Sequence, residues 1–360
     1  MPTSEPRVAV KDALVVITNY NGKHFMKGCL DSVCAQAGPS FDVLVVENGS
    51  RDGSLDFIRQ GWPGVMVEAI EVNTGYGRGL NAGFAGRLKG YRMVVFLSND
   101  VVVEPGWLQP LVEALDADPR AALCNSRVIN ARNGLIDTAG GRIINLYLGI
   151  LGGCFSDQPV EAPLGLRGGE PFEVFYADLC SLAVRSSALE ELGGFDESYY
   201  MYFEEVDLSW RARLKGMKVI CAPRSCLTHI KGGTPKTREL SLHILKGMDR
   251  NLLCVYFKHL AWHNLLWVLP MTALARLASS LIYLPVSPRI VLAKLKGLLE
   301  FLGRLPALLP QRRALQRGRL LSDGQVFSSN PGNPWSLGPI LALLLHRIHD
   351  IGGWYRRGGA

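Results

Sequence analysis

The first 120 residues alternate short apolar runs with helical segments, and each run ends on a polar cluster. Residues 13–18, 41–46, 65–70 and 93–97 are mostly apolar at successive positions rather than at every second one, with Asp42 and Glu68 the charged interruptions. Such runs are too short for buried helices, and they suit strands covered on both faces. Helices are predicted over residues 24–36, after the Glu47-Asn48-Gly49-Ser50 turn, and over 77–88 and 107–115. This alternation builds βαβ units around a mostly parallel sheet.

In an open α/β sheet, ligands gather outside the carboxyl ends of the strands. Four polar clusters fall there: Thr18-Asn19-Tyr20-Asn21, the segment from Glu47 through Asn48, Ser50 and Asp52 to Ser54, the segment Asn73-Thr74-Gly75-Tyr76-Gly77-Arg78-Gly79, and Asp100. A carboxylate such as Glu47 can accept from a base or a ribose, Asn and Ser can pair a pyrimidine edge, and Arg78 can meet phosphate. Any one cluster has a plain reading as helix capping and turn chemistry. Four on one sheet edge favour a binding site. The glycines at 75, 77 and 79 lack the GxGxxG spacing and follow the third strand, which argues against a dehydrogenase.

Asp100 is chemically sufficient for Mg²⁺ or Mn²⁺, because such a cation needs one or two protein carboxylates when diphosphate oxygens and waters complete its shell. His229, in Leu227-Thr228-His229-Ile230-Lys231-Gly232-Gly233, is a second candidate ligand, with a structural histidine as the alternative.

Residues 202–211 place Glu204, Glu205 and Asp207 within four positions, between aromatics and at the start of a helix predicted over 205–215. A helix N-terminus lowers the pKa of such acids. Like charges and burial by Tyr199, Tyr200, Tyr202 and Phe203 raise it. Three acids exceed what a cap needs, so one is expected to act as a general base.

Residues 130–169 read as loops and short strands shaping an acceptor pocket, and strands are predicted at 173–176, 182–184 and 218–222. Beyond about residue 240 the character changes. Residues 259–286 are mostly apolar and long enough to span a bilayer. Pro270 and Arg276, followed by Arg289, Lys294, Lys296, Arg304, Arg312, Arg313, Arg317 and Arg319, point instead to helices lying in the membrane interface. Residues 340–345 and Trp354-Tyr355-Arg356-Arg357 suit a headgroup layer. The net charge of +7 favours an acidic partner, nucleotide or anionic lipid. Without a basic face studded with aromatics, nucleic acid is not expected. The 8 cysteines form no CxxC pair and read as reduced thiols of a cytosolic chain. The N-terminus has no secretory pattern.

Together these motifs resemble the family 2 inverting glycosyltransferases with a GT-A fold, especially bacterial rhamnosyltransferase-like members, over about residues 14–233. Val15 to Gly22 is similar to the family's first nucleotide-binding strand and loop. Val45-Val46-Glu47-Asn48-Gly49-Ser50-Arg51-Asp52-Gly53-Ser54 resembles its VVDNGSTDGS segment, with Glu47 for the usual Asp. Asn73 to Gly83, including Asn81, is similar to its NxGFGxGxNxG segment. Leu97-Ser98-Asn99-Asp100 matches the degenerate DxD position, with Ser98 in place of the first acid. Glu204-Glu205 falls where the family has Glu-Asp, whose second acid is the base.

The resemblance implies a GT-A (Rossmann-like) mixed, mostly parallel sheet flanked by helices over 1–240, and a helical, basic and apolar region over 241–360. It further implies a nucleoside-diphosphate sugar donor (dTDP- or UDP-linked, rhamnose first) held by Thr18, Asn19, Tyr20, Glu47, Asn48, Ser50, Asp52, Asn73, Gly75, Gly77, Arg78, Asn81 and Asn99. Asp100 and His229 would take the divalent cation. Glu205 would be the base, with Glu204 and Asp207 in reserve. The acceptor would be a glycan or lipid-linked hydroxyl at the cytoplasmic face of the inner membrane, or in the cytoplasm. A nucleotidyltransferase and a non-catalytic nucleotide-sugar-binding, membrane-associated protein are the competing readings.

Overall fold

The computed structural model describes residues 10–160, 169–231, 238–281, 284 and 287–336. Strands β1 (Lys11–Asn19), β2 (Phe41–Asn48), β3 (Met66–Ile70) and β4 (Tyr91–Ser98) run parallel in the order β3-β2-β1-β4. A short β5 (Val101–Val103) follows β4, and β6 (Ala121–Asn130) lies further along the sheet with β7 (Ile136–Thr138) beside it. Strands β8 (Gly141–Asn145) and β9 (Ile150–Gly153) form a separate hairpin. The sheet is completed by β10 (Phe172–Glu173), β11 (Ser181–Arg185) and β12 (Lys218–His229). β11 runs antiparallel between β4 and β6, while β12 is parallel to β6 and bonds β5 at its far end.

The continuous apolar runs have a direct cause. Val15, Ile17, Val43 and Val45 face one core, with the helices α1 (Lys23–Cys34), α2 (Ser54–Gly61) and α4 (Leu108–Ala117) over it. Leu14, Val16, Leu44 and Val46 face a second core, covered by α3 (Tyr76–Phe84), α5 (Ser186–Leu192) and α6 (Glu204–Leu214). Both faces are buried, so alternation vanishes from the sequence.

Strand β6 and helix α5 were not anticipated. The middle of β6 is polar, yet Asn125 and Ser126 are fully buried. Ser126 Oγ lies 2.7 Å from both Ser181 Oγ and Ser225 Oγ, and the Trp107 indole donates to Ser126 and Ser181 at 3.0 Å. Two hydroxyls and an indole from three other segments satisfy Ser126, and local sequence carries no sign of it. The strand expected over 173–176 is confined to Phe172–Glu173.

Among the described residues four C-terminal helices follow: α7 (Arg238–His259), α8 (Trp262–Leu281), α9 (Pro288–Arg317) and α10 (Asp323–Phe327). They share a third core with the sheet region. Ile143, Phe175, Tyr199, Val206 and Trp210 pack with Leu252, Tyr256, Phe301 and Phe327. Among the described residues no helix is long and apolar enough to cross a membrane. Several basic residues assigned to an interface have internal work. Arg276 and Lys294 bond Asp249, Arg304 donates to the Ser198 carbonyl, and buried Arg312 donates to the carbonyls of Phe257 and Leu260 at the end of α7. Arg289, Lys296, Arg313 and Arg317 are exposed. The patches at 340–345 and 354–357 lie outside the described residues.

Candidate active site

The carboxyl ends of β1, β2 and β4 are in register, with Asn19 opposite Glu47 and Thr18 opposite Ser98. That register assembles a relay of side chains. Asn99 Nδ2 donates to Asn19 Oδ1 at 2.7 Å, and Asn19 Nδ2 donates to Glu47 Oε2 at 2.8 Å. The hydroxyl of Ser50 donates to the other Glu47 oxygen and accepts from the Asn21 N–H at 2.8 Å. Glu47 is 3% exposed, so these donors, rather than water, satisfy its carboxyl oxygens. Burial pushes the Asp52 carboxyl up, but bonds from Ser54 and the Lys23 N–H outweigh it and leave the group below its ordinary value. Thr18 Oγ1 is buried and, among the described residues, meets no partner, while the Tyr20 ring is exposed beside Tyr200.

The third cluster builds the loop before α3. Asn48 donates to the Gly75 carbonyl at 3.0 Å and accepts from the Thr74 N–H at 3.0 Å, and Asn73 accepts from the Gly75 N–H at 2.9 Å. Gly75 has φ +90°, and a Cβ there would lie 2.8 Å from the Tyr200 carbonyl, so only glycine fits. Gly77 brings α3 against Glu204, whose Cγ would lie 3.4 Å from a Cβ at that position. Two expected donor contacts have other partners. Arg78 is paired with Glu197 at 2.8 Å, and Asn81 bonds both the backbone of Phe195 and the Glu197 carboxylate. They fasten α3 to the loop ahead of the acid cluster.

Asp100 sits in the turn between β4 and β5. Because His229 pairs with Val101 across the β5–β12 ladder, its imidazole reaches Asp100 Oδ2 with Nε2 at 3.2 Å. Nδ1 lies 3.4 Å from Asp137, which also accepts from Lys231 at 2.6 Å. Burial alone would lower the His229 pKa, but the two carboxylates raise it to about 9. Among the described residues no group of three or more His, Cys, Asp or Glu is arranged to enclose a metal. One carboxylate and one imidazole side by side fit an open site that a diphosphate would complete.

The acids occupy the first turn of α6, as the residue pattern predicts. Their environments differ sharply. Glu204 is 1% exposed, and its Oε1 has no partner among the described residues. Burial, then the charges of Glu205 and Asp207, drive it well above the ordinary carboxyl range. Glu205 is half-buried. Burial and the nearby Asp178 charge push it up to about 7, against hydrogen bonds from the helix N–H groups. Asp207 is enclosed by Lys258 at 2.5 Å, Arg211 at 2.7 Å and the Tyr199 hydroxyl at 3.2 Å. Burial opposes its charge, yet these cations hold it far below the usual range. An acid so strongly held is a structural counter-ion and not a base, which removes Asp207 from the reserve. The expected aromatic cover is also partial: Tyr199 is buried, but Tyr200 and Tyr202 are about two-fifths exposed.

Tyr76 links the two halves. Its buried phenol lies beside Ser98 and within electrostatic reach of Glu204 and Asp100, and together with burial those charges raise its pKa. Asp178 makes a second link. It accepts from the Cys180 N–H at 2.8 Å, and its charge acts on Glu205, while the Cys180 thiol lies 3.7 Å from His229. Tyr76 and Asp178 therefore connect the surroundings of Asp100 and His229 electrostatically with the acid pair. Tyr76, Asp137, Asp178 and Cys180 were missed from the sequence. Only Tyr76 lies within a segment singled out there.

Residues 14–153 match the family described as Glycosyl transferase family 2. N-acetylglucosaminyl-diphospho-decaprenol L-rhamnosyltransferase of Mycobacterium tuberculosis is 28% identical over 264 residues, covering 69% of this chain and 85% of that protein. Poly-beta-1,6-N-acetyl-D-glucosamine synthase of Staphylococcus epidermidis is 24% identical, over 57% of this chain and 47% of the relative. Among solved structures, S. aureus TarS 1-349 superposes with a TM-score of 0.54 at 14% identity, covering 85% of this chain and 86% of that one. GalNAc-T7 with UDP, GalNAc and Mn2+ gives 0.54 at 18% identity, over 71% of this chain and 48% of that one. At such identities these two likenesses speak for the fold, a GT-A-like mixed α/β architecture.

Proposed function

We infer the reaction from what the chain carries, a family 2 glycosyltransferase domain of the rhamnosyltransferase-like kind. It transfers a sugar from a nucleoside-diphosphate donor to a hydroxyl of a glycan or lipid-linked acceptor. The donor class proposed first is a thymidine-diphosphate deoxyhexose such as rhamnose, with uridine-diphosphate hexoses next. The acceptor proposed is a sugar on a polyprenyl diphosphate. The name of the mycobacterial relative supports both the sugar and the lipid carrier.

The observation that carries the reading is the contrast between the two acids on one turn. Glu204 is sealed and pushed well above the ordinary carboxyl range, whereas Glu205 is half-open and pushed up to about 7. A base is most useful when its pKa lies near the working pH. Glu205 takes the proton of the acceptor hydroxyl as its oxygen forms the new bond to the anomeric carbon. The bond from that carbon to the diphosphate oxygen breaks on the opposite face, so configuration inverts and the nucleoside diphosphate leaves. The relay from Asn99 through Asn19 to Glu47 and Ser50 orients the nucleoside. Asp100 and His229 would hold a divalent cation, with Asn99 adjacent. When bound, the cation neutralises charge on the leaving diphosphate.

Attachment to an anionic membrane surface belongs to the same proposal. Leu266, Trp267, Met271 and Leu274 of α8 and Leu292, Leu299 and Leu302 of α9 are exposed on helical spacing. Exposed Arg289 and Lys296 flank the α9 stripe. Over residues 262–317, Glu300 is the single acid, and it is paired with Lys246 and Arg250. A basic, apolar face of this kind suits anionic headgroups.

The test is a panel of nucleotide sugars, with and without Mn²⁺, scored with a polyprenyl-diphosphate-linked acceptor. Release of nucleoside diphosphate coupled to glycosylated acceptor is the expected outcome. Pyrophosphate release would indicate a nucleotidyltransferase, and binding without turnover of any donor would indicate a degenerate binder. Either result ends the reading.

A further inference from the structure

Two successive residues ahead of the acid pair, Tyr202 and Phe203, have left-handed backbones with φ +68° and +78°. Neither is glycine, and bulky aromatic residues rarely adopt this conformation. Something outside the turn must hold it. The nearest restraint comes from the C-terminal helices. Asn251, fully buried on α7, donates through one side-chain amide to two carbonyls, Met201 at 3.0 Å and Tyr202 at 2.9 Å. Its own Oδ1 accepts from Arg250 Nε at 2.9 Å, and Arg250 in turn bonds Glu300 of α9 at 3.1 Å. The amide is thereby fixed in orientation on both sides.

The geometry points to Asn251 as a positioning residue for the reaction. By bridging the carbonyls of Met201 and Tyr202 it holds the left-handed turn that aims Glu204 and Glu205 from the first turn of α6. It touches neither donor nor acceptor. On this view α7 is part of the catalytic apparatus, and the helical region cannot be removed as a mere attachment. The inference rests on the proposed transferase reading for its kinetic consequence, but not for its structural one.

Neighbouring contacts agree. Arg304 of α9 donates to the Ser198 carbonyl at 2.9 Å, and Lys258 of α7 binds both Asp196 and Asp207. These anchor the start of the loop and the body of α6. Asn251 alone supplies side-chain donors to the carbonyls of the strained turn among the hydrogen bonds described. A displacement of about 1 Å at a reacting group can cost roughly 100-fold in rate.

The experiment compares full-length wild type with Asn251→Ala, with the isosteric Asn251→Asp, and with Leu253→Ala as a control in the same helix and core. The first readout is amide hydrogen exchange over residues 199–207. Both Asn251 variants are expected to speed exchange there, and Leu253→Ala is not. The second is steady-state kinetics with whichever donor the wild type uses. The Asn251 variants should lose roughly 10- to 100-fold in kcat, with donor KM within about twofold, because the nucleotide relay lies on other strands. Leu253→Ala should lower Tm and leave kcat of the folded enzyme near wild type. If Asn251→Ala does not fold, Asn251→Asp carries the comparison, since it keeps the shape and loses both donors. Unchanged exchange over 199–207 or an unchanged kcat in a folded Asn251 variant overturns the inference. A wild type that turns over no nucleotide sugar instead overturns the transferase reading, and the exchange result still decides the role of Asn251.

Discussion

Lys258 of α7 places its ammonium 2.5 Å from the carboxylate of Asp207 on α6, and both side chains are almost wholly buried. The pair is completed by Arg211, the Tyr199 hydroxyl and Asp196, so a helix from the C-terminal region supplies the charge that keeps an acid of the α6 turn ionised. Removing one partner of such a pair strands the other without water. Lys258→Met is expected to destabilise the protein by about 3–5 kcal/mol, measured by denaturant unfolding. A loss below about 1 kcal/mol would mean that Asp207 is adequately held by Arg211.

Glu205→Gln keeps the size and hydrogen-bonding edge of the side chain but cannot accept a proton. Turnover should fall by about 10²–10⁴-fold, with donor affinity retained in a titration. Asp207→Asn should act chiefly on stability. Normal turnover in Glu205→Gln would remove that residue from the role of base.

The pH dependence follows from the same carboxyl. A base works when deprotonated, and Glu205 is pushed up to about 7, so kcat should rise with pH through about 7 and then level. Stability runs the other way. The native state holds its proton more tightly than the unfolded chain, so stability present below the ordinary value of 4.5 is lost as pH rises towards 7. Glu205→Gln should therefore be more stable than wild type at pH 8, by on the order of 1–3 kcal/mol, and this advantage should vanish at pH 4. Paired thermal melts at the two pH values check it.

Helix α3 lies directly on the sheet at Gly83, where a Cβ would come within 2.4 Å of Val16 Cγ1. Gly83→Val would push the helix outward and carry the Asn73–Gly75 loop with it. We expect a loss of about 1–3 kcal/mol together with weaker donor binding, read by unfolding and by nucleotide titration. An unperturbed nucleotide affinity would show that the loop is set independently of α3.

Charge placed in the apolar stripe tests the surface proposal. Replacing Leu266, Trp267 and Leu299 together by Glu should abolish sedimentation with anionic vesicles and leave Tm nearly unchanged, because all three are largely exposed. Sedimentation of the wild type should weaken as salt rises. Co-sedimentation of the triple variant at wild-type levels would assign attachment to another part of the chain.

Much of the site was legible because strand-end chemistry is local. A polar cluster after a buried strand announces where the strand stops, and parallel pairing then places such ends together. Thr18, Asn19, Glu47, Asn48, Ser50 and Asn99 are brought to one edge in this way. Pairing choices were not legible. Arg78 has the chemistry of a phosphate ligand, but Glu197, 119 positions later, takes it. Arg276, Lys294 and Arg312 look like an interfacial basic series, yet they join helices to one another. Strand β6 was hidden because its centre is polar, and Ser126 there is satisfied by hydroxyls and an indole from distant segments.

The sequence by itself determined the doubly covered sheet, the polar strand ends and the acid triplet opening a helix, since each depends on residues within a turn or two of one another. Only the tertiary structure decided how far the three acids differ in proton affinity. Glu204, Glu205 and Asp207 have nearly the same intrinsic chemistry. Enclosure by Lys258, Arg211 and Tyr199, full burial, and partial burial beside Asp178 spread their proton affinities apart. Arg211 and Tyr199 lie close in sequence, but Lys258 and Asp178 come from segments tens of residues away. Desolvation and Coulomb energy depend on distance in space, and the order of residues along the chain does not record it.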